Sequence, residues 1–181
     1  RFYHKVTITD VDGDGLDDMV TVSETSSTAR AEWFPGTATV DRFDSTPHTI
    51  GPGGGSLVVV HDVDGDSDDD LVSPQLFGGS GVAWFERTAD PSPGNPAGSW
   101  VRHQAANIGL GFGIEHVEDL LGDGVDRWVG TNHVNDASAG VFVIDQAPVP
   151  TNLWTATKVS KGIQAADLQP GTLAPGFFGV G

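Results

Sequence analysis

Two aspartate-rich stretches, Asp10–Asp18 (DVDGDGLDD) and Asp62–Asp70 (DVDGDSDDD), place carboxylates at positions 1, 3, 5 and 9 of a nine-residue segment and start 52 residues apart. They hold five and six acidic residues, eleven of the 25 in the chain. Weaker echoes are anchored at Asp119 (in EDLLGDGVDR, 118–127), 57 residues on, and at Asp167 (in ADLQPGTLAP, 166–175), 48 further. Self-similarity at this period constrains the fold, because a unit of about fifty residues cannot bury its apolar face alone and must stack on its neighbours.

Each of the first three anchors lies between two short apolar or alternating runs, the pattern of half-buried strands. These are Val6 to Thr9 and Met19 to Val22, Leu57 to Val60 and Leu71 to Ser73, and Ile114 to Val117 and Trp128 to Gly130. A third strand is expected at Ala31 to Phe34, Val82 to Phe85 and Val141 to Ile144, and a fourth at Pro47 to Ile50, Trp100 to Gln104 and Trp154 to Val159. Four short strands per unit predict an all-β fold, a β-propeller of four-stranded antiparallel blades. The units fall at about 4–50, 56–105 and 113–159, with half a blade at 161–181, near Ile163 to Ala166 and Phe177 to Val180. Arg87 to Ser99 and Gln146 to Asn152 read as surface loops, and the glycines at 51–55 and 111–113 as handovers between blades. Three and a half blades cannot close a ring, so the remainder of the propeller or a partner chain is expected to complete it.

Alternate carboxylates on a tight turn converge on one point and would repel each other without a cation. A hard ion taking six to eight oxygens at about 2.3–2.6 Å suits such a loop, and Ca²⁺ fits better than Mg²⁺, which demands stricter octahedral geometry. The expected ligands are Asp10, Asp12, Asp14, the Leu16 carbonyl and Asp18 in the first loop, and Asp62, Asp64, Asp66, the Asp68 carbonyl and Asp70 in the second. An EF-hand would need a Glu at position 12, where Thr21 and Ser73 stand, and helices on either side. The third loop has Leu121 at position 3 and Arg127 at position 9, so Arg127 is expected to replace the ion by pairing with Asp119 or Asp123. The fourth keeps only Asp167, with Gln169, Gly171 and Pro175 following. Two structural Ca²⁺ ions are therefore predicted.

Nine Lys and Arg against 25 Asp and Glu give a formal charge of -16, which excludes nucleic acid and anionic membrane surfaces as partners. No apolar run reaches the roughly 18 residues of a membrane span, so no membrane insertion is expected. The absence of cysteine removes disulfides, thiolate metal sites and thiol nucleophiles. No G-x-S-x-G elbow, HExxH or phosphate-binding glycine motif occurs, and no catalytic residue is assigned. His48 and His103 recur in equivalent strands and read as packing residues, as do Trp33 with Trp84 and Trp100 with Trp154. His61 and His116 read as polar interior residues. Asn132, His133, Asn135 and Asp136, and the segment Gln75 to Gly81, offer polar groups suited to hydroxyls.

The segments AspValAspGlyAspGlyLeuAspAspMetVal and AspValAspGlyAspSerAspAspAspLeuVal, with the pairs Trp33-Phe34 and Trp84-Phe85, resemble FG-GAP/VCBS-type calcium-binding β-propeller repeats. Such repeats occur in integrin α-subunit heads, fungal lectins and bacterial extracellular proteins. The resemblance implies loops joining the first and second strands of each blade, and a ring often of seven blades, of which this chain is about half. It implies an extracellular recognition or structural module for a glycan or protein ligand. Alternatives are the propeller of a carbohydrate-active enzyme, lyase- or dehydratase-like, with catalytic residues outside this chain, or an architectural subunit of a fibre.

Overall fold

A computed structural model describes residues 2–24 and 28–160. Twelve strands run in order: β1 (Phe2–Thr9), β2 (Asp18–Glu24), β3 (Arg30–Phe34), β4 (His48–Pro52), β5 (Val59–His61), β6 (Asp70–Pro74), β7 (Val82–Ala89), β8 (Ser99–Ala106), β9 (Gly111–Val117), β10 (Arg127–Asn132), β11 (Val141–Asp145) and β12 (Thr155–Lys158). They form three four-stranded antiparallel meanders, β1 to β4, β5 to β8 and β9 to β12, each in sequence order. Among the described residues all regular structure is strand, and no helix is long and apolar enough to cross a membrane.

Register explains how the sheets stack. In the first sheet Val20 pairs with Trp33 and Trp33 with His48; in the second Val72 pairs with Trp84 and Trp84 with His103. Side chains of cross-strand partners share a face, so these rows project on one side and Met19–Phe34 and Leu71–Phe85 on the other. Val20, Val22, Trp33 and Ile50 of the first sheet pack against Val58, Leu71 and Phe85 of the second. The opposite face of the second sheet presents Val72, Val82 and Trp84 to Ile114, Trp128, Ile144 and Trp154 of the third. The middle sheet is thus covered on both faces, and every residue of β6 is buried. Burying side chains such as Leu71 and Phe85 contributes about 1.5–3 kcal/mol each.

The histidines join this packing as expected. His48 lies 4.9 Å from Trp33 and His103 stacks on Trp84 at 4.5 Å, centroid to centroid. His61 and His116 stack on each other at 4.0 Å and both touch Trp128.

Some boundaries differ from expectation. β7 does not end at Phe85 but continues to Ala89, because Glu86 and Arg87 pair with Val101 and Trp100 of β8; the surface loop is shorter than the run Arg87 to Ser99. Gly111 and Gly113 belong to β9, not to a handover, and lie where Cβ atoms would press on the Gly81 carbonyl and the Thr131 hydroxyl. β1 begins at Phe2 instead of Val6. The expected half blade at 161–181 lies outside the described residues.

Candidate metal centres

Both aspartate loops connect the first strand of a sheet to its second. Thr9 pairs with Asp18 and His61 with Asp70, so position 9 of each loop is the first residue of β2 or β6 and is held by the ladder. Asp18 Oδ2 accepts the Val11 N–H at 2.7 Å and Oδ1 accepts the Gly36 N–H at 2.5 Å. Asp70 repeats this, with Oδ2 on the Val63 N–H at 3.1 Å and Oδ1 on the Arg87 N–H at 2.8 Å. Two backbone donors per carboxylate fix its orientation, and both aspartates are only 1% exposed.

Position 1 organises the turn. Asp10 accepts N–H bonds from Gly13 at 2.8 Å and Gly15 at 2.9 Å; Asp62 accepts them from Gly65 at 2.8 Å and Ser67 at 3.1 Å. The turn demands left-handed backbone at position 6, supplied by Gly15 at φ 85° and by Ser67 at φ 79°. Carboxylate oxygens of Asp10, Asp12 and Asp18 come within 4.8 Å of one another, as do those of Asp62, Asp64 and Asp70. Each triad is an all-oxygen donor set that could hold a metal ion. Asp14 and Asp66 lie outside the triads, exposed, with Oδ1 accepting the Leu16 and Asp68 N–H groups at 2.8 and 3.0 Å. The Asp68 side chain turns to Arg87, 3.6 Å from its Nε.

The electrostatics are those of a site short of positive charge. Burial pushes the Asp70 carboxyl up to about 6 against the backbone bonds that lower it. Asp18 is raised in the same way, and Asp64 is raised by burial and by Asp66 beside it. A bound cation would reverse these shifts.

The third loop shows what replaces a carboxylate at position 9. Val117 pairs with Arg127, leaving one more residue between the paired ends than in the first two loops, and Asp119 adopts φ 43°. Arg127 is 8% exposed and forks onto Asp123, with Nη1–Oδ1 and Nη2–Oδ2 both 2.7 Å, the second of the two partners expected for it. Its Nε also bonds Asp145 at 2.8 Å, a partner on β11 that the loop sequence did not reveal. The paired guanidinium pulls the Asp123 carboxyl down to about 2.

Arg87 was also missed by sequence reasoning, since nothing in its local sequence marks it. Its position becomes visible only once β7 is extended past Phe85. Beside the first loop, Asp12, Asp14, Trp33, Pro35 and His48 face the Pro91–Pro96 turn across a solvent-open cleft of about 320 Å³. No family model, curated protein or solved structure matches the chain.

Proposed function

We propose that this chain is a calcium-binding portion of a β-propeller in which two Ca²⁺ ions pin the β1–β2 and β5–β6 turns, and that it serves as an extracellular recognition module. The observation that carries this reading is the pair of aspartate triads, Asp10/Asp12/Asp18 and Asp62/Asp64/Asp70, in equivalent places of two successive sheets. Oxygen-only donors favour a hard cation over zinc or copper, and loops that keep Asp14, Asp66 and carbonyls in reserve suit the high coordination number of calcium. Affinities tuned to the calcium levels outside cells are usual for such modules.

The recognition role is supported by the cleft beside the first loop, where Pro35, Pro91, Pro93 and Pro96 lie next to the Asp12 and Asp14 carboxylates. Such a surface suits a glycan or a peptide that meets the ion and the prolines together. Continuation of the ring is supported by the outer face of the first sheet, where Val6 and Ile8 are 46% and 50% exposed while Ile114 in the third sheet is 2% exposed.

Calorimetric titration of chelator-stripped protein tests the metal assignment: two Ca²⁺ per chain with weaker Mg²⁺ binding is expected, and no Ca²⁺ binding overturns it. A glycan array with calcium-loaded protein tests recognition, and binding abolished by chelator is the expected result.

A further inference from the structure

We propose that Arg87 couples the two cation sites, so that filling one raises the affinity of the other; this rests on the metal reading above. Phe34, Phe85 and Ile144 occupy equivalent places, paired with Met19, Leu71 and Trp128. Two residues beyond each stand Gly36, Arg87 and Gln146. In the second and third sheets this side chain reaches back to the preceding aspartate loop. Arg87 Nη1 donates to the Val11 carbonyl at 2.5 Å, and Gln146 Nε2 donates to the Val63 carbonyl at 2.8 Å. Val11 and Val63 are both position 2 of their loops. Gly36 has no side chain to reach with, and a Cβ there would lie 2.4 Å from the Asp17 carbonyl.

Backbone bonds turn this repeated contact into a continuous path between the triads. Asp18 accepts from the Val11 N–H, and the Val11 carbonyl accepts from the Arg87 guanidinium. The Arg87 N–H in turn donates to Asp70. Arg87 is 8% exposed, and its Nε lies 3.6 Å from Asp68 Oδ1 without a hydrogen bond, so the side chain is shielded from water but not clamped by that carboxylate. An ion in the second loop fixes Asp70 and with it the backbone of Arg87. The guanidinium then holds the peptide that joins Val11 to the ligand Asp12, so the first loop has less ordering left to do when its own ion arrives. Coupling of this kind is reciprocal.

The test uses Asp12→Asn to disable the first site and Asp64→Asn to disable the second, neither of which lies on the path. In calcium titrations the overall two-site constant of the unmodified protein should exceed the product of the two single-site constants by at least about fivefold. Arg87→Ala should bring that ratio to one, and Arg87→Lys, which keeps the charge but lacks the Nη1 donor that reaches Val11, should lower it. Amide exchange gives a second readout: in Asp12→Asn protein, calcium at the second loop should slow exchange of the Val11 N–H. A ratio of one in the unmodified protein, a ratio that survives either Arg87 variant, or unchanged Val11 exchange overturns the coupling while leaving the two sites standing. If Arg87→Ala does not fold, the unmodified ratio and Arg87→Lys decide. Absence of calcium binding at both loops overturns the metal reading and the coupling with it.

Discussion

Arg127 grips Asp123 through two parallel N–H···O bonds at the place where the first two loops present Asp18 and Asp70. The third loop thus carries its positive charge covalently. Arg127→Met is expected to lower the thermal midpoint while leaving the calcium stoichiometry at two. Arg127→Asp should not create a third site, because the loop is one residue longer and has Leu121 at position 3. Calorimetry that returned three ions for Arg127→Asp would refute this account of the loop.

Removing the position 9 carboxylate should cost both metal and fold. Asp18→Ala leaves the Val11 and Gly36 N–H groups without their acceptor, at about 1–3 kcal/mol for each group that stays buried and unpaired. Asp14→Ala, at an exposed position outside the triad, should cost much less stability. Urea unfolding of both variants in chelator, compared with the parent, measures the difference.

Acidity should stabilise the metal-free protein and weaken the metal-loaded one. The Asp70 carboxyl titrates near 6 when folded and near 3.8 when unfolded, so between these values the folded chain binds more protons. Its contribution to stability is therefore complete below about pH 4 and is lost as pH rises through 6. Calcium requires the ionised form and competes with that proton. The gain in thermal midpoint on adding calcium should shrink between pH 7.5 and pH 5; a gain that stays constant across this range would contradict the placement of Asp70 at the site.

Backbone strain predicts a stabilising change. Ser67 holds φ 79° at the position Gly15 fills in the first loop, a conformation that costs a residue with a Cβ about 1–2 kcal/mol. Ser67→Gly relieves this against the larger unfolded-state entropy of glycine, about 0.5–1 kcal/mol, and should raise stability slightly. Denaturant midpoints of the two proteins measured side by side would show it.

Close packing between sheets predicts the opposite sign at Gly51. A Cβ there would lie 2.5 Å from Phe85 Cε1, and Phe85 is fully buried. Gly51→Ala should destabilise by about 1–3 kcal/mol, the usual range for overpacking. An unchanged thermal midpoint would mean that the first two sheets are less tightly apposed.

The four-strand units and the placement of both loops were legible because each aspartate run interrupts two alternating apolar stretches, such as Val6–Thr9 and Met19–Val22. The pairing of Arg127 was legible for a related reason: a cation among carboxylates at a fixed loop position has few other partners. The reach of Arg87 to Val11 was not, because it spans 76 residues and depends on β7 continuing past Phe85. The extra residue in the third loop was also hidden, since Asp119 and Asp123 keep their spacing and only the pairing of Val117 with Arg127 reveals it.

The guanidinium of Arg127, standing where the first two loops have Asp18 and Asp70, makes the described sheets unequal in charge. On the proposed reading the first two sheets depend on calcium supply for the integrity of their turns, whereas the third carries its counter-charge on its own side chains. When calcium is withdrawn, loosening is expected to begin at the Asp10 and Asp62 turns and to spare the Asp119 turn, so the molecule is built to soften from its amino-terminal sheets while the third keeps its shape.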